Sequence, residues 1–267
     1  MALKFGGFTE AKAYSPESID ENFRKTHSEI LSIKRGNGLW LWKPYIILDA
    51  LKNCREGDYV FYCDSGAFVF SSVMPLIESM GESDIWVSNI TTVEEQWTKP
   101  KVFELLGIDD PEIKSSAQIQ ASFFLARKSE MSCNFVREWL NLCTRPELIK
   151  PLGPGEFHGK CIEHREDQSL LSVSCKLRGI KPHKNPSFGP RRLKEGIKYK
   201  VKKLLGVLRR GKESESAGVI FSDDKYSPCI YHHRIRRAHS IRSVILQVIK
   251  GGRQKVIAAL IRMMFAK

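Results

Sequence analysis

Residues 59–63, Tyr-Val-Phe-Tyr-Cys, form an apolar run bounded by turn residues on both sides, Gly57-Asp58 before it and Asp64-Ser65-Gly66 after it. A run of that length with those flanks reads as a buried strand, and burial on both faces favours a strand in a parallel sheet. The surrounding segments extend the pattern. Residues 8–14 read as a short strand, and Ser15-Pro16-Glu17 as a helix start with Ser as cap and Pro in the first turn. Ile19, Phe23, Ile30 and Ile33 give the following helix an apolar face, which stops at the glycine-rich turn Arg35-Gly36-Asn37-Gly38. Further helices are expected at 44–53, 72–80, 99–106, 130–143 and 167–176, and further strands at 85–89 and Ala121–Ala126. Strands alternating with helices argue for an α/β domain whose parallel sheet is covered on both faces.

Charge divides the 267 residues unevenly. Residues 191–267 hold 20 Lys/Arg against 5 Asp/Glu, a net of +15, while residues 1–190 are close to neutral at −2. The expected organisation is therefore a catalytic domain at 1–190, a basic helix, linker and last strand at 191–237, and basic amphipathic helices at 238–267. Within this tail, Leu193, Ile197, Val201, Leu204, Leu205 and Leu208 recur at spacings of three and four among lysines. Glu213 to Gly218 reads as a linker and 219–221 as a strand; 239–250 and 253–266 read as helices. Basic helices with apolar faces suit docking on an anionic membrane surface, each cation adding about 1 kcal/mol near the lipid. A helical cap over the sheet is the other reading. The tail lacks the interleaved aromatics that stack bases, so no nucleic-acid partner is expected.

Seven scattered cysteines without a CxxC pair fit free thiols in a reducing compartment. Met1 to Lys12 contains no apolar signal core, and no stretch reaches 18 uninterrupted apolar residues. A cytoplasmic location is the resulting expectation, which leaves the sequon at Asn89 without weight.

Four segments could carry chemistry. Asp64, with Ser65 and Gly66, falls at the end of the 59–63 strand, where ligands of α/β sheets bind. It either caps a following helix or holds a ligand or divalent metal. Glu163-His164-Arg165-Glu166-Asp167-Gln168-Ser169 precedes an apolar helix; Asp167 either caps that helix or acts as a general base. Tyr231-His232-His233-Arg234 is a basic surface turn or a source of one metal or phosphate contact. In Trp40-Leu41-Trp42-Lys43-Pro44-Tyr45 the tryptophans stack or pack, and Lys43 at a helix start could meet phosphate.

Taken in order, Gly38-Leu-Trp-Leu-Trp-Lys-Pro-Tyr-Ile-Ile-Leu48, Asp58-Tyr-Val-Phe-Tyr-Cys-Asp-Ser-Gly66, Thr98-Lys99, Phe103, Leu106-Gly107, Gln118-Ile-Gln-Ala-Ser122, His164-Arg-Glu-Asp-Gln-Ser169 and His232-His233-Arg234 resemble a family of bacterial capsule and O-antigen glycosyltransferases. The resemblance spans roughly residues 8–237. It implies the GT-A fold, a Rossmann-like nucleotide-sugar transferase sheet with helices on both faces, here followed by basic amphipathic C-terminal helices. It implies transfer of a sugar from a nucleotide-diphosphate donor to a glycan or lipid-linked acceptor in surface polysaccharide synthesis, at the inner face of the cytoplasmic membrane.

By the same resemblance Lys43, Trp42, Asp64, Ser65, Gly66, His232 and Arg234 would bind the donor and its phosphates. Asp167 and Glu166 would be catalytic, and His164, Arg165 and Gln168 would face the acceptor. Asp64 and His232 would hold Mn2+ or Mg2+. Gly66 stands where an Asp-x-Asp motif has its second acid, which puts metal dependence in question. GT-A domains also open with a strand that cradles the base, and residues 1–7 leave almost no room for it, so the domain is expected to lack that strand. The rival readings are a truncated or inactive GT-A domain that binds membrane or partners, and a basic nucleic-acid-binding protein.

Overall fold

The computed structural model describes residues 2–188 and 224–232. The expected helix at 191–210, the linker, the strand at 219–221, the helices at 239–250 and 253–266, and His233 and Arg234 lie outside the described residues.

The described chain is a mixed α/β structure built on a small antiparallel sheet. Short helices α1 (Glu21–Thr26), α2 (Ser28–Leu31) and α3 (Gly36–Leu39) precede the longer α4 (Trp42–Asn53). Strands β1 (Tyr59–Cys63) and β2 (Ala67–Val69), helix α5 (Met74–Ser79) and strand β3 (Ile85–Val93) come next. Helices α6 (Glu94–Trp97), α7 (Pro100–Leu105) and α8 (Pro111–Ser115) lead to β4 (Ala117–Arg127). Helices α9 (Glu130–Cys143), α10 (Pro146–Ile149) and α11 (Glu166–Leu177) and strands β5 (Ser187–Phe188) and β6 (Ile230–His232) complete it.

The main sheet has the order β1-β4-β3, with both pairings antiparallel. This corrects the parallel sheet expected from the continuous apolar runs. Such a run requires only that both faces be covered, and here two different layers cover them. Leu51 of α4, Val136 and Trp139 of α9 and Leu170 of α11 pack with Phe124 and Ala126 on one face. A second sheet of order β2-β6-β5 covers the other, where Val69 and Ile230 meet Trp86, Phe123 and Leu125. The segment leading to β5 is tied to β3 by a parallel bridge between His183 and Ser88: His183 N donates to the Val87 carbonyl at 2.7 Å and Asn89 N to the His183 carbonyl at 3.3 Å.

Strand β4 is irregular at its middle. Trp86 opposes Leu125 but Ser88 opposes Gln120, so β4 spends extra residues between two nearby positions of β3. The bulge exchanges the faces: Ile119 and Ala121 belong to the helix-side core, then Phe123 and Leu125 to the other. Bulges re-aim side chains and end pairing, and β1 stops pairing at this point, opposite Phe123.

Several expected boundaries move. Residues 8–14 form no strand; Phe8 stacks on Phe61 at 5.7 Å, and Lys12 and Tyr14 reach Asp49 of α4. The Ser15-Pro16 start yields only a 3-10 turn, Pro16–Ser18. The first α-helix begins after Asp20, whose carboxylate accepts from Phe23 N at 2.9 Å. The helix expected at 130–143 is α9, capped by Ser129.

The glycine-rich turn before α4 has a specific geometric role. Residues 36–40 all have positive φ, 95° at Gly38 and 59° at Trp40. A Cβ on Gly38 would lie 2.7 Å from Leu31 Cα, so the turn closes tightly against α2. Trp42 Nε1 donates to the Gly36 carbonyl at 3.0 Å, fixing the turn to the first residue of α4. Gly38→Ala combines strain at positive φ with a backbone clash and is expected to cost about 2–3 kcal/mol. A urea midpoint equal to that of the unaltered chain would refute this account of the turn.

Candidate functional site

Tyr62 and Asp64 are two residues apart and so leave the end of β1 on the same side. The ladder continues one step past the strand, with Asp64 N donating to the Ser122 carbonyl at 3.0 Å, and a turn closes from Ala67 N to the Asp64 carbonyl at 3.0 Å. That turn leads into β2, so the helix-capping reading of Asp64 drops out. The Asp64 carboxylate accepts from the Tyr62 hydroxyl at 2.6 Å and keeps 29% of its side chain exposed.

Lys43 enters from the first turn of α4. Its side chain is 4% exposed, and its ammonium lies 2.7 Å from Asp167 Oδ2 and 3.8 Å from Asp64 Oδ1. Its Nζ also lies 5.6 Å from the centre of the Tyr62 ring. Asp167 belongs to the first turn of α11, and its carbonyl accepts from Trp139 Nε1 of α9 at 2.9 Å. Three distant segments thus converge on one buried cation. This geometry departs from the role expected of Lys43, because an ammonium already held by two carboxylates orients them rather than facing phosphate. Trp42 likewise serves the glycine turn.

Burial pushes the Asp167 carboxyl up to about 6 against the pull of Lys43. Burial opposes the charge on Lys43, but Asp167 and Asp64 outweigh it, and Lys43 stays above its ordinary range. Burial, then the neighbouring Asp64 charge, keeps the Tyr62 phenol well above its usual range and therefore a donor.

A second ionic cluster adjoins the first in sequence. Glu166 opens α11 at φ 42°, a conformation uncommon for a non-glycine residue. Its carboxylate meets Arg35 Nε at 2.6 Å, while Arg35 also reaches Glu163 at 2.6 Å. Burial raises Glu166 to about 7, opposed by Arg35. Arg35 and Tyr62 were not among the expected site residues. Tyr62 stands inside the strand-end motif that ends in Asp64-Ser65-Gly66, but its hydroxyl was given no role there, and Arg35 enters only through the fold.

The expected acceptor-side residues are spent on packing. Beyond the bulge β4 has lost β1 as a neighbour, and α11 takes over its edge. Gln168 accepts from Ala121 N at 3.3 Å, and Ser172 accepts from Ile119 N at 2.8 Å. Gln168 also donates to Gln118 at 2.8 Å, and Ser169 to the Trp97 carbonyl at 2.6 Å. His164 is 1% exposed and accepts from Lys99 N at 3.3 Å. Burial, with Lys99 second, pushes it down to about 3, so it is neutral. The Arg165 guanidinium lies 4.0 Å from the centre of the Trp97 ring. The motifs at 118–122 and 164–169 therefore read largely as two halves of one joint, with Glu166 and Asp167 projecting from it.

Ser65 is exposed beside Gly66. His232 pairs with Ala67 across β2 and β6, and its Nε2 lies 4.0 Å from where a Cβ on Gly66 would be. Asp64, Ser65, Gly66 and His232 thus share one end of the two sheets. Among the described residues no group of three His, Cys, Asp or Glu comes together to hold a metal. With Lys43 already against Asp64, these residues do not fit a resident Mn2+ or Mg2+ built from protein ligands.

No protein-family model matches the chain, and the comparison with curated proteins finds no relative. Among solved structures, the apo form of mouse xyloside xylosyltransferase 1 is similar, at 8% identity over 81% of this chain and 74% of that one, with a TM-score of 0.37. A likeness that loose carries no argument about what this chain does.

The two raised carboxylates give the fold a pH dependence of known sign. Asp167 and Glu166 hold protons more readily folded than unfolded, so their contribution is fully present below their ordinary values of 3.8 and 4.5. It is lost as pH rises through about 6 and about 7. The urea midpoint is expected to fall between about pH 4 and about pH 7, and Glu166→Gln to flatten the upper part of the slope. A midpoint that rises over this range contradicts the assignment. Removing one side of the buried pair leaves an uncompensated charge, so Lys43→Met should cost about 3–5 kcal/mol, much of it recovered in the Lys43→Met/Asp167→Leu double variant. Equal denaturation curves for Lys43→Met and the unaltered chain would exclude the pairing.

Proposed function

We propose that this chain is a glycosyltransferase of the GT-A kind that moves a sugar from a nucleotide-diphosphate donor to a glycan or lipid-linked acceptor in surface polysaccharide synthesis. The observation that carries the reading is the meeting of Lys43, Asp64 and Asp167 at one end of the sheet. These three come from the separate motifs on which the sequence resemblance rests.

In this reading Asp64 receives the donor. One of its oxygens is held by Tyr62, and the exposed part of the carboxylate accepts hydrogen bonds from sugar or ribose hydroxyls. Ser65, Gly66 and His232 border the donor, and Gly66 leaves room for close approach. The acceptor hydroxyl attacks the anomeric carbon, the bond to the diphosphate breaks, and the nucleoside diphosphate leaves with the electron pair. Asp167 takes the hydroxyl proton, its pKa of about 6 placing it near the range useful to a base at neutral pH. Lys43 keeps that carboxylate ionised and aimed.

The basic tail, residues 191–267, would dock the enzyme on the inner face of the cytoplasmic membrane, where lipid-linked glycans are built. Among the described residues no helix is long and apolar enough to cross a membrane.

Thermal denaturation against a panel of nucleotide-diphosphate sugars, each with and without Mn2+, tests the reading. One donor at 100 times its Kd should add about 2.7 kcal/mol of stability. Asp64→Asn, still folded, should weaken that donor at least tenfold. Stabilisation without release of nucleoside diphosphate in the presence of acceptor would assign the chain to inactive domains that only bind. No stabilisation by any donor, in folded protein, would overturn the reading.

A further inference from the structure

A cleft of about 500 Å³ opens between the α6–α7 segment, the loop after α7 and the 159–160 segment. Its apolar surface comes from Pro100 and the edges of the core residues Phe103 and Ile108, and its polar rim includes Glu95, Glu104, Asp109, Lys114 and Lys160.

The rim is charged but internally balanced. Lys160 pairs with Glu95 at 3.1 Å, Lys114 with Asp109 at 3.0 Å, and Glu104 with Lys101 at 2.7 Å. Each charged group of the rim has an opposite partner, so the rim carries no net charge that would select an ionic ligand. Apolar surface framed by exposed charged donors and acceptors suits a ligand with C–H faces and many hydroxyls. The mouth is partly bare backbone: Gly107 at φ 65° and Gly159 at φ 54° carry no side chain, and a Cβ on Gly107 would meet nothing within 4 Å.

The cleft is tied to the site already described. Ile162 N and Arg165 N donate to the carbonyls of Gln96 and Trp97 at 2.8 and 3.1 Å, anchoring the loop that carries Lys160 to α6. Glu163, the partner of Arg35, is three positions beyond Lys160, which is at most about 11 Å of extended chain.

We propose that this cleft binds a neutral oligosaccharide, the non-reacting part of the acceptor. The choice of ligand class rests on the glycosyl-transfer reading; the balanced rim and apolar surface support it independently. The probe is a set of uncharged di- to tetrasaccharides of glucose, galactose and N-acetylglucosamine, titrated into the full chain without nucleotide and followed by calorimetry and ligand-observed NMR. At least one should bind saturably. Glu104→Trp, which fills the mouth, should weaken it tenfold or more, and Glu95→Gln severalfold, with melting temperatures close to that of the unaltered chain.

Asp64→Asn should leave saccharide binding unchanged, and Glu104→Trp should leave stabilisation by a donor unchanged. Saccharide binding without any donor effect would sustain the cleft while the transferase reading falls. No saturable binding by any of the sugars would overturn the proposal. So would binding that survives both cleft variants but is lost in Asp64→Asn.

Discussion

A single ammonium group, that of Lys43, connects parts of the chain that would otherwise have little reason to meet. Burying it alone would be prohibitive, so the fold must supply carboxylates, and it supplies Asp167 from α11 and Asp64 from the end of β1. Each needs support in turn. Asp64 is held by Tyr62, and the backbone of Asp167 by Trp139. The position of α4 depends on a turn with five consecutive positive φ values, closed by Gly38 against α2. Helices, sheet and turn are thereby committed to one arrangement. A buried ion pair of this kind contributes little net stability; what it sets is the spacing of two carboxylates.

The bulge in β4 is the second organising feature. It turns the strand between two cores and ends the pairing with β1, which exposes backbone donors at Ile119 and Ala121. Buried donors of this sort must be satisfied, and side chains of α11 do so. The helix is therefore registered to the strand by hydrogen bonds as well as by packing, and Glu166 and Asp167 inherit that register. An irregularity in the sheet is converted into precise placement of acidic groups one turn away.

Much of this was legible in the chain. The apolar run at 59–63 ending in Asp64 is a strand end, and the amphipathic pattern at 130–143 is α9. Strand direction was not legible, because a run apolar on both faces reports only that both are covered. Here a second sheet does the covering on one side. The ordered motifs pointed to Asp64, Lys43 and Asp167, yet local spacing did not reveal that Lys43 binds the other two. Nor did it reveal that Gln168 and Ser169 are joints, since their partners Ala121 and Trp97 lie 47 and 72 residues away. Arg35 stands next to the glycine turn and looks like a surface charge until Glu166 is brought to it.

Strand β6 pairs Ala67 with His232 across most of the described chain. Pairings of such separation form slowly, because the entropy of closing the loop must be met before the contact rewards it. Until β6 arrives, β2 lacks its hydrogen-bonded neighbour, and Val69 and Trp86 lack the cover of Ile230. During synthesis the helical side can consolidate around Lys43 while this face waits for a strand from the far end of the described chain. Closure of the Asp64 end therefore depends on a strand supplied from more than 160 residues further along the chain, the most sequence-distant pairing of the described sheets.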